Sequence, residues 1–275
     1  MGLAVVTVAS GGLPIVESTV GGTPVTEATN GRGVPVTKVV GKPGLPVVFE
    51  TIGAGGGAST DPNFANVIFL WEAESLVDAK GKVITPSGTG AISTAQKRIG
   101  TSSYSVGTGG ASMADSPDWD ISAANATPFT IEFSAYQTLL QNWEVLQHWG
   151  GGVGNCSWWI RLQADGQIRF LASSDGTTAF SMDVTATGVG RTAATWADIC
   201  IEKDATGKIR FYRDGVMKFS ATPANSAFFA ATGLMFVGSD GNPNGYIDHV
   251  RITKGVARYA SDSGYTFNAT PYPTS

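Results

Sequence analysis

The chain has 275 residues, 42% of them apolar and 15% charged, with 18 basic against 22 acidic side chains. The apolar share suffices for a sizeable core, and a net charge of −4 forces no basic surface, which argues against nucleic acid as the main partner. The 36 Gly and 13 Pro suit short strands and turns rather than helices, no apolar run reaches membrane-spanning length, and the N-terminus lacks the charged-then-apolar pattern of a signal peptide.

Residues 1–52 carry an internal repeat. Gly2-Leu3-Ala4-Val5-Val6, Gly12-Leu13-Pro14-Ile15-Val16, Gly22-Thr23-Pro24-Val25-Thr26, Gly33-Val34-Pro35-Val36-Thr37 and Gly44-Leu45-Pro46-Val47-Val48 align, with their glycines 10 or 11 residues apart. The unit predicts a strand of about five residues and a turn of similar length. Asn30-Gly31 and Lys42-Pro43-Gly44 are turn signals. Phe49 is the only aromatic residue among the first fifty. A lone sheet of this composition leaves its edges open and buries little, so the segment is expected to be ordered only against other chains. A homotrimer is the expected assembly, because three strand faces can enclose one apolar axis. Residues 53–61, with the run Gly53-Ala54-Gly55-Gly56-Gly57-Ala58-Ser59-Thr60, read as a flexible linker.

Residues 62–275 read as one all-β domain, a two-sheet antiparallel jelly-roll sandwich. Val67–Trp71 is apolar on both faces, as a buried strand is. Short strands are expected near 83–85, 90–93 and 103–106, and a short helix within 118–125. Phe129, Ile131 and Phe133 alternate with Thr130, Glu132 and Ser134. Asp165-Gly166 and Asp214-Gly215 each separate two apolar runs and predict type I′ hairpins. A bridge between Cys156 and Cys200 is open to the sequence, but they are read as buried or semi-buried free thiols, as in a protein assembled in a reducing cytosol. From Gly245 to Lys254, after the turn residues 241–244, period two puts Tyr246, Asp248, Val250, Ile252 and Lys254 on one face. Ile247, His249, Arg251 and Thr253 fall on the other.

That closing stretch, Gly245 to Tyr259, resembles the closing strand of laminin-G-like, concanavalin-A-like domains of bacteria and tailed bacteriophages. Their pattern is G-x-I-D-x-V-R-I-x-K-G-x-A-R-Y. Phe129-Thr130-Ile131-Glu132-Phe133 is similar to the family's first long core strand. Trp196–Ile201 is similar to its W-x-x-V-A-V strand, with Cys200 where Ala is usual. Ile209–Gly215 is similar to its L-x-L-Y-V-D-G hairpin. The resemblance spans about residues 66–262 and implies the sandwich fold. It does not imply one function, since such domains serve as binding modules, spacers and enzymes. The N-terminal repeat resembles segments that hold a distal domain to a phage particle.

Neither His148 nor His249 has a partner at metal-ligand spacing. Asp175, Asp240 and Asn242 are loop oxygens of the kind that bind calcium in laminin-G relatives, but Asx-turns explain them as well, and no cofactor is expected. Asp248 is read as a structural hydrogen-bonding residue. Glycanase chemistry needs two carboxylates facing across a groove. The E-x-D-x-x-E run of related glycanases is missing, and Glu72 and Glu74 sit at a strand end, so no enzyme activity is expected. Sugar binding needs aromatic faces beside polar hydrogen-bonding groups. Trp149, Trp158 and Trp159 supply the first, and one member of the adjacent pair must face the core. Asn242, Asn244 and Tyr246 form a second candidate cluster.

The reading is a phage-type virion surface protein assembled in the host cytoplasm. Its N-terminus would anchor it to itself and to major capsid or tail proteins, and its sandwich would project outward toward host surface glycans. It could serve as a capsid decoration or head-fibre protein, or as a tail-fibre adhesin. The alternatives are a polysaccharide-degrading enzyme of the same fold and a secreted bacterial carbohydrate-binding adhesin. Neither a membrane nor a nucleic-acid partner is expected.

Overall fold

A computed structural model describes residues 6–10, 13–20, 23–29, 35–40, 60–150, 152–239, 245–267 and 269–275. The chain divides into two compact units, Met1–Thr60 and Asp61–Thr274. In the first, β1 (Val6–Ser10), β2 (Leu13–Val20), β3 (Thr23–Thr29) and β4 (Pro35–Val40) form an antiparallel meander in chain order. Ser10 pairs with Leu13 and Val20 with Thr23, so pairing runs up to the Gly-Gly pairs at 11–12 and 21–22. At these two connections the expected turn as long as its strand is therefore corrected, whereas five residues, 30–34, separate β3 from β4 as expected. Strands take up most of each ten-residue period, because a Gly-Gly pair suits a two-residue connection. The fifth repeat unit, Gly44 to Val48, and linker residues 53–59 lie outside the described residues.

The second unit holds β5 (Val67–Trp71), β6 (Thr85–Pro86), β7 (Ala91–Ser93), β8 (Ser103–Ser105), β9 (Ala111–Met113), β10 (Phe129–Gln137), β11 (Trp143–Trp149) and β12 (Cys156–Leu162). These are followed by β13 (Ile168–Ala172), β14 (Met182–Ala186), β15 (Ala197–Lys203), β16 (Ile209–Arg213), β17 (Val216–Ala221), β18 (Met235–Ser239) and β19 (Gly245–Lys254). One sheet runs β17-β16-β15-β10-β19-β8-β7, with β5 also on β19, and the other runs β14-β13-β12-β11-β18-β9-β6. All their pairings are antiparallel, as a jelly-roll sandwich requires. The closing strand β19 is central. Along one side it pairs with β10, and the other side is shared by β8 at Tyr246–Ile247 and β5 at Val250–Thr253. The expected helix within 118–125 is a single 3-10 turn, Pro117–Trp119, capped by Ser116.

One core lies between the sheets. Ile131, Phe133, Ile201, Phe211, Ile247, Val250 and Ile252 meet Val145, Trp158, Ile160, Phe170 and Val237 there. Burying each such side chain is worth about 1.5–3 kcal/mol, which makes this layer the main source of stability. Lys203 is fully buried at its margin, where it donates to Ser122 Oγ and to the carbonyls of Ala124 and Ser226. Cys156 and Cys200 are both buried and share no disulfide.

The period-two reading of β19 is corrected by a bulge. Glu132 pairs with Arg251 and Ser134 with Asp248, so His249 and Val250 together face Phe133. His249 takes the left-handed conformation, φ 53°, at a cost of roughly 1–2 kcal/mol for an L-residue. The extra residue puts Ile247 and Val250 both in the core, and sends Asp248 to the side opposite Val250. Only one of the two predicted type I′ hairpins has that turn. Asp214 and Gly215 both have positive φ, between paired Arg213 and Val216. At Asp165-Gly166 only Gly166 does, and Gln163 N bonds Gln167 O across a three-residue loop.

The polar letters of the closing motif build a buried layer outside the first sheet. Arg251 donates to Glu132 at 2.6 and 2.9 Å, and Tyr259 Oη donates to the same carboxylate at 2.5 Å. Arg258 donates to both oxygens of Asp61, at 2.9 and 2.8 Å. Asp248 accepts from the backbone of Arg98, Ile99 and His249, which pins the 98–99 segment to β19 and fits its expected structural role.

Candidate functional site

The outer face of the second sheet carries the strongest candidate. Pairing across β11, β12, β13 and β14 sets Gln147, Trp159, Leu171 and Asp183 in one row, and Glu144, Arg161, Arg169 and Thr185 in the next. Trp158 and Trp159 alternate along β12, so the first enters the core and the second stays outside, partly exposed. Trp149, at the end of β11, and Phe180, just before β14, join Trp159. The ring centroids are 5.3 Å apart for Trp149–Trp159, 5.5 Å for Trp149–Phe180 and 5.6 Å for Trp159–Phe180. Phe180 is 41% exposed and gives the group its open face.

Two ion pairs frame the rings. Arg161 Nε donates to Glu144 Oε1 at 2.7 Å, with the Arg161 guanidinium 4.9 Å from the Trp159 ring centre. Arg169 binds Asp183 through two parallel bonds, at 2.8 and 2.5 Å, and lies 5.9 Å from the Phe180 ring centre. These bonds hold the Asp183 carboxyl below the usual range and raise the Arg169 guanidinium above it. Beside them, Gln147 donates to Ser239 Oγ at 2.5 Å. Chemically, the face offers ring planes for sugar C–H groups and charged groups for hydroxyls.

Residues 107–259, lying wholly in this sandwich, match the family described as the concanavalin A-like lectin/glucanases superfamily. The chain belongs to that superfamily. Among solved structures it is similar to the binding domain of Paraclostridial Mosquitocidal Protein 1, with a TM-score of 0.56 and 14% identity over 71% of this chain and 50% of that one. It is also similar to the receptor binding domain of botulinum neurotoxin C/D mosaic serotype, with a TM-score of 0.54 and 13% identity over 70% of this chain and 49% of that one. A third is the botulinum neurotoxin serotype D ligand binding domain in complex with N-acetylneuraminic acid, with a TM-score of 0.53 and 12% identity over 70% of this chain and 49% of that one. The chain thus spans about half the length of these structures, and identity this low shows a shared fold alone. No curated protein sequence matches the chain.

Within this superfamily fold the predicted sugar-binding residues separate. Trp149 and Trp159 meet in the platform. Trp158 is corrected to a core residue, 0% exposed, with Nε1 donating to Trp119 O at 2.9 Å. Asn242 and Asn244 lie outside the described residues. Tyr246 belongs to the other sheet, 5.9 Å from Tyr136, which is 5.6 Å from Trp196. Phe180, Tyr136 and Trp196 are aromatic partners that sequence reasoning missed. Phe180 stands alone in a run of Thr, Ala and Ser, and only strand pairing brings it to Trp159.

Of the calcium candidates, Asp175 makes the Asx-turn. Its Oδ1 accepts from Thr177 N and Oγ1 at 2.9 and 2.8 Å and from Ser173 Oγ at 2.9 Å. Asp240 and Asn242 lie outside the described residues, among which no group of three or more His, Cys, Asp or Glu is arranged for a metal. Glu72 and Glu74 border a shallow pocket with Trp71, Ser75, Val77 and Thr274. Burial pushes the Glu72 carboxyl up to about 7. Burial pushes Glu74 up as well, but bonds from Thr101 and Ser102 to both its oxygens outweigh that and hold it below its usual value.

Proposed function

We propose that this sandwich is a non-catalytic glycan-binding module of a phage-type virion surface protein. The platform of Trp149, Trp159 and Phe180 contacts the sugar. Residues 1–52 assemble the chain with copies of itself and anchor it to capsid or tail proteins, after assembly in the host cytoplasm. The observation that carries the glycan reading is the ring group of exposed Phe180 and partly exposed Trp159, backed by buried Trp149 and flanked by two Arg–carboxylate pairs. The complex of the structurally similar serotype D domain with a sugar, N-acetylneuraminic acid, is in keeping with glycan binding by this fold as such. The anchoring role is supported by the N-terminal meander, in which β1 and β4 each have one strand neighbour among the described residues and so offer an edge. A non-catalytic role is supported by Glu74, whose two oxygens are occupied by Thr101 and Ser102, which leaves it a poor base or nucleophile beside Glu72.

The test is a glycan array probed with the full chain and with Phe180→Ala and Trp159→Ala. Binding is expected for the full chain and a loss of about tenfold or more for each variant. A folded chain that binds no glycan, or that binds equally well without these rings, overturns the assignment.

A further inference from the structure

We infer that the platform selects neutral, hydroxyl-rich glycans over sialylated or uronic ones. The inference rests on the glycan reading of this same face and goes on to its charge. Every cation on the two rows is already matched. Arg161 spends its Nε and Nη2 on Glu144 and lies against Trp159. Arg169 spends its Nε and Nη2 on the two oxygens of Asp183 and lies against Phe180. The other positions in the rows, Gln147, Leu171 and Thr185, are uncharged. The four charged groups sum to zero, so the face holds no unmatched positive charge for a sugar carboxylate. An acidic sugar would have to displace Glu144 or Asp183, or sit beside a like charge.

Neutral sugars fit the same groups. A hydroxyl both donates and accepts, so a vicinal pair needs a donor and an acceptor side by side. An Arg–carboxylate pair offers that combination. The Nη1 hydrogens of Arg161 and Arg169 take no part in the two pairs, and the Asp183 oxygens, each accepting one bond from Arg169, keep lone pairs for a hydroxyl, whereas Glu144 is buried. The side chains of Arg169 and Asp183 are 28% and 42% exposed, so the second pair is open to a ligand from the solvent side. The aromatic rings beside the pairs then cover the apolar sugar face.

The experiment presents each neutral oligosaccharide, lactose among them, alongside its sialylated or uronic counterpart on one surface, and measures binding of the full chain. The neutral member is expected to bind more tightly than its acidic counterpart. Its binding should change by less than about threefold from roughly 0.05 to 0.5 M NaCl, since no net charge is matched. Asp183→Asn frees Arg169 and is expected to shift the acidic-to-neutral ratio upward by about fivefold or more. An acidic counterpart bound as tightly as the neutral one, or more tightly, by the unmodified chain overturns the selectivity while leaving the platform as a glycan site. An unchanged ratio in Asp183→Asn overturns it too, because the ion pair would not be what excludes acidic sugars. Failure of every glycan to bind overturns the platform reading itself.

Discussion

Tyr272 is stacked on His249, with ring centroids 3.6 Å apart and planes 10° from parallel. The Arg251 guanidinium lies 3.8 Å from the centre of the same ring, and Tyr272 N donates to Glu72 at 2.8 Å. The β19 bulge that presents His249 outward therefore also docks the C-terminal segment, and Val67 and Leu70 pack with the same tyrosine. Tyr272→Ala should destabilise the sandwich by about 3 kcal/mol, as removal of a buried aromatic ring does. Amide exchange within 255–267 should rise with it. A variant with wild-type urea stability and unchanged exchange there would show that the segment is held by other contacts.

Glu72 predicts a pH dependence whose sign is fixed by its environment. Burial raises its folded pKa to about 7 from 4.5. The folded state thus holds a proton that the unfolded chain has lost between those values, and this contribution to stability falls as pH rises from 4.5 through 7. Asp248, raised by burial to about 6 from 3.8, acts in the same direction between those values. His249, lowered by burial to about 3 from 6.5, acts oppositely, because its stability contribution is lost as pH falls from 6.5 to 3. Glu72→Gln should therefore raise stability at pH 8 by about 1–3 kcal/mol relative to its effect below pH 4.5. Urea unfolding at the two pH values measures this, and equal effects at both would contradict it.

The Glu132–Arg251 pair is buried on both sides, with side chains 4% and 7% exposed. Glu132→Ala would strand Arg251 and the Tyr259 hydroxyl without their acceptor. The expected cost is about 3–5 kcal/mol, as for half of a buried ion pair. A loss under about 1 kcal/mol in chemical denaturation would mean that Asp61, 3.3 Å from Arg251 Nη1, takes over the charge.

Phe180→Ala should behave differently. Phe180 is 41% exposed, so its removal is expected to change stability by less than about 1 kcal/mol while weakening glycan binding. A thermal scan beside the binding measurement separates the two effects. A large fall in melting temperature would make the ring a structural element rather than a contact surface.

The N-terminal meander makes a prediction about assembly. The full chain should sediment as an oligomer, with three copies expected, and a chain starting at Asp61 as a folded monomer. Sedimentation velocity on both decides it. A monomeric full chain with residues 6–40 protected from hydrogen exchange would show that the meander is stable alone.

The strand pattern of both sheets was legible where alternation is unbroken. Phe129 to Phe133 and the Trp158–Trp159 pair read correctly because period two holds there. It failed at His249, since a bulge adds one residue without any sequence mark other than a non-glycine in a strained conformation. From that point the faces of Asp248 and Val250 were assigned together, although the chain separates them. The platform was half legible. Trp149 and Trp159 stood out as tryptophans, whereas Phe180 and the pairs Arg161–Glu144 and Arg169–Asp183 depend on which strands lie side by side, which no local period encodes.

The two cysteines sit in opposite layers, Cys156 in β12 of one sheet and Cys200 in β15 of the other, both buried. Burial keeps the Cys200 thiol far above its usual pKa, so it is protonated and unreactive while the sheet is closed. Each sheet therefore carries its own chemical clock. The rate at which a small alkylating reagent modifies Cys156 or Cys200, resolved by peptide mass, times the opening of one layer independently of the other.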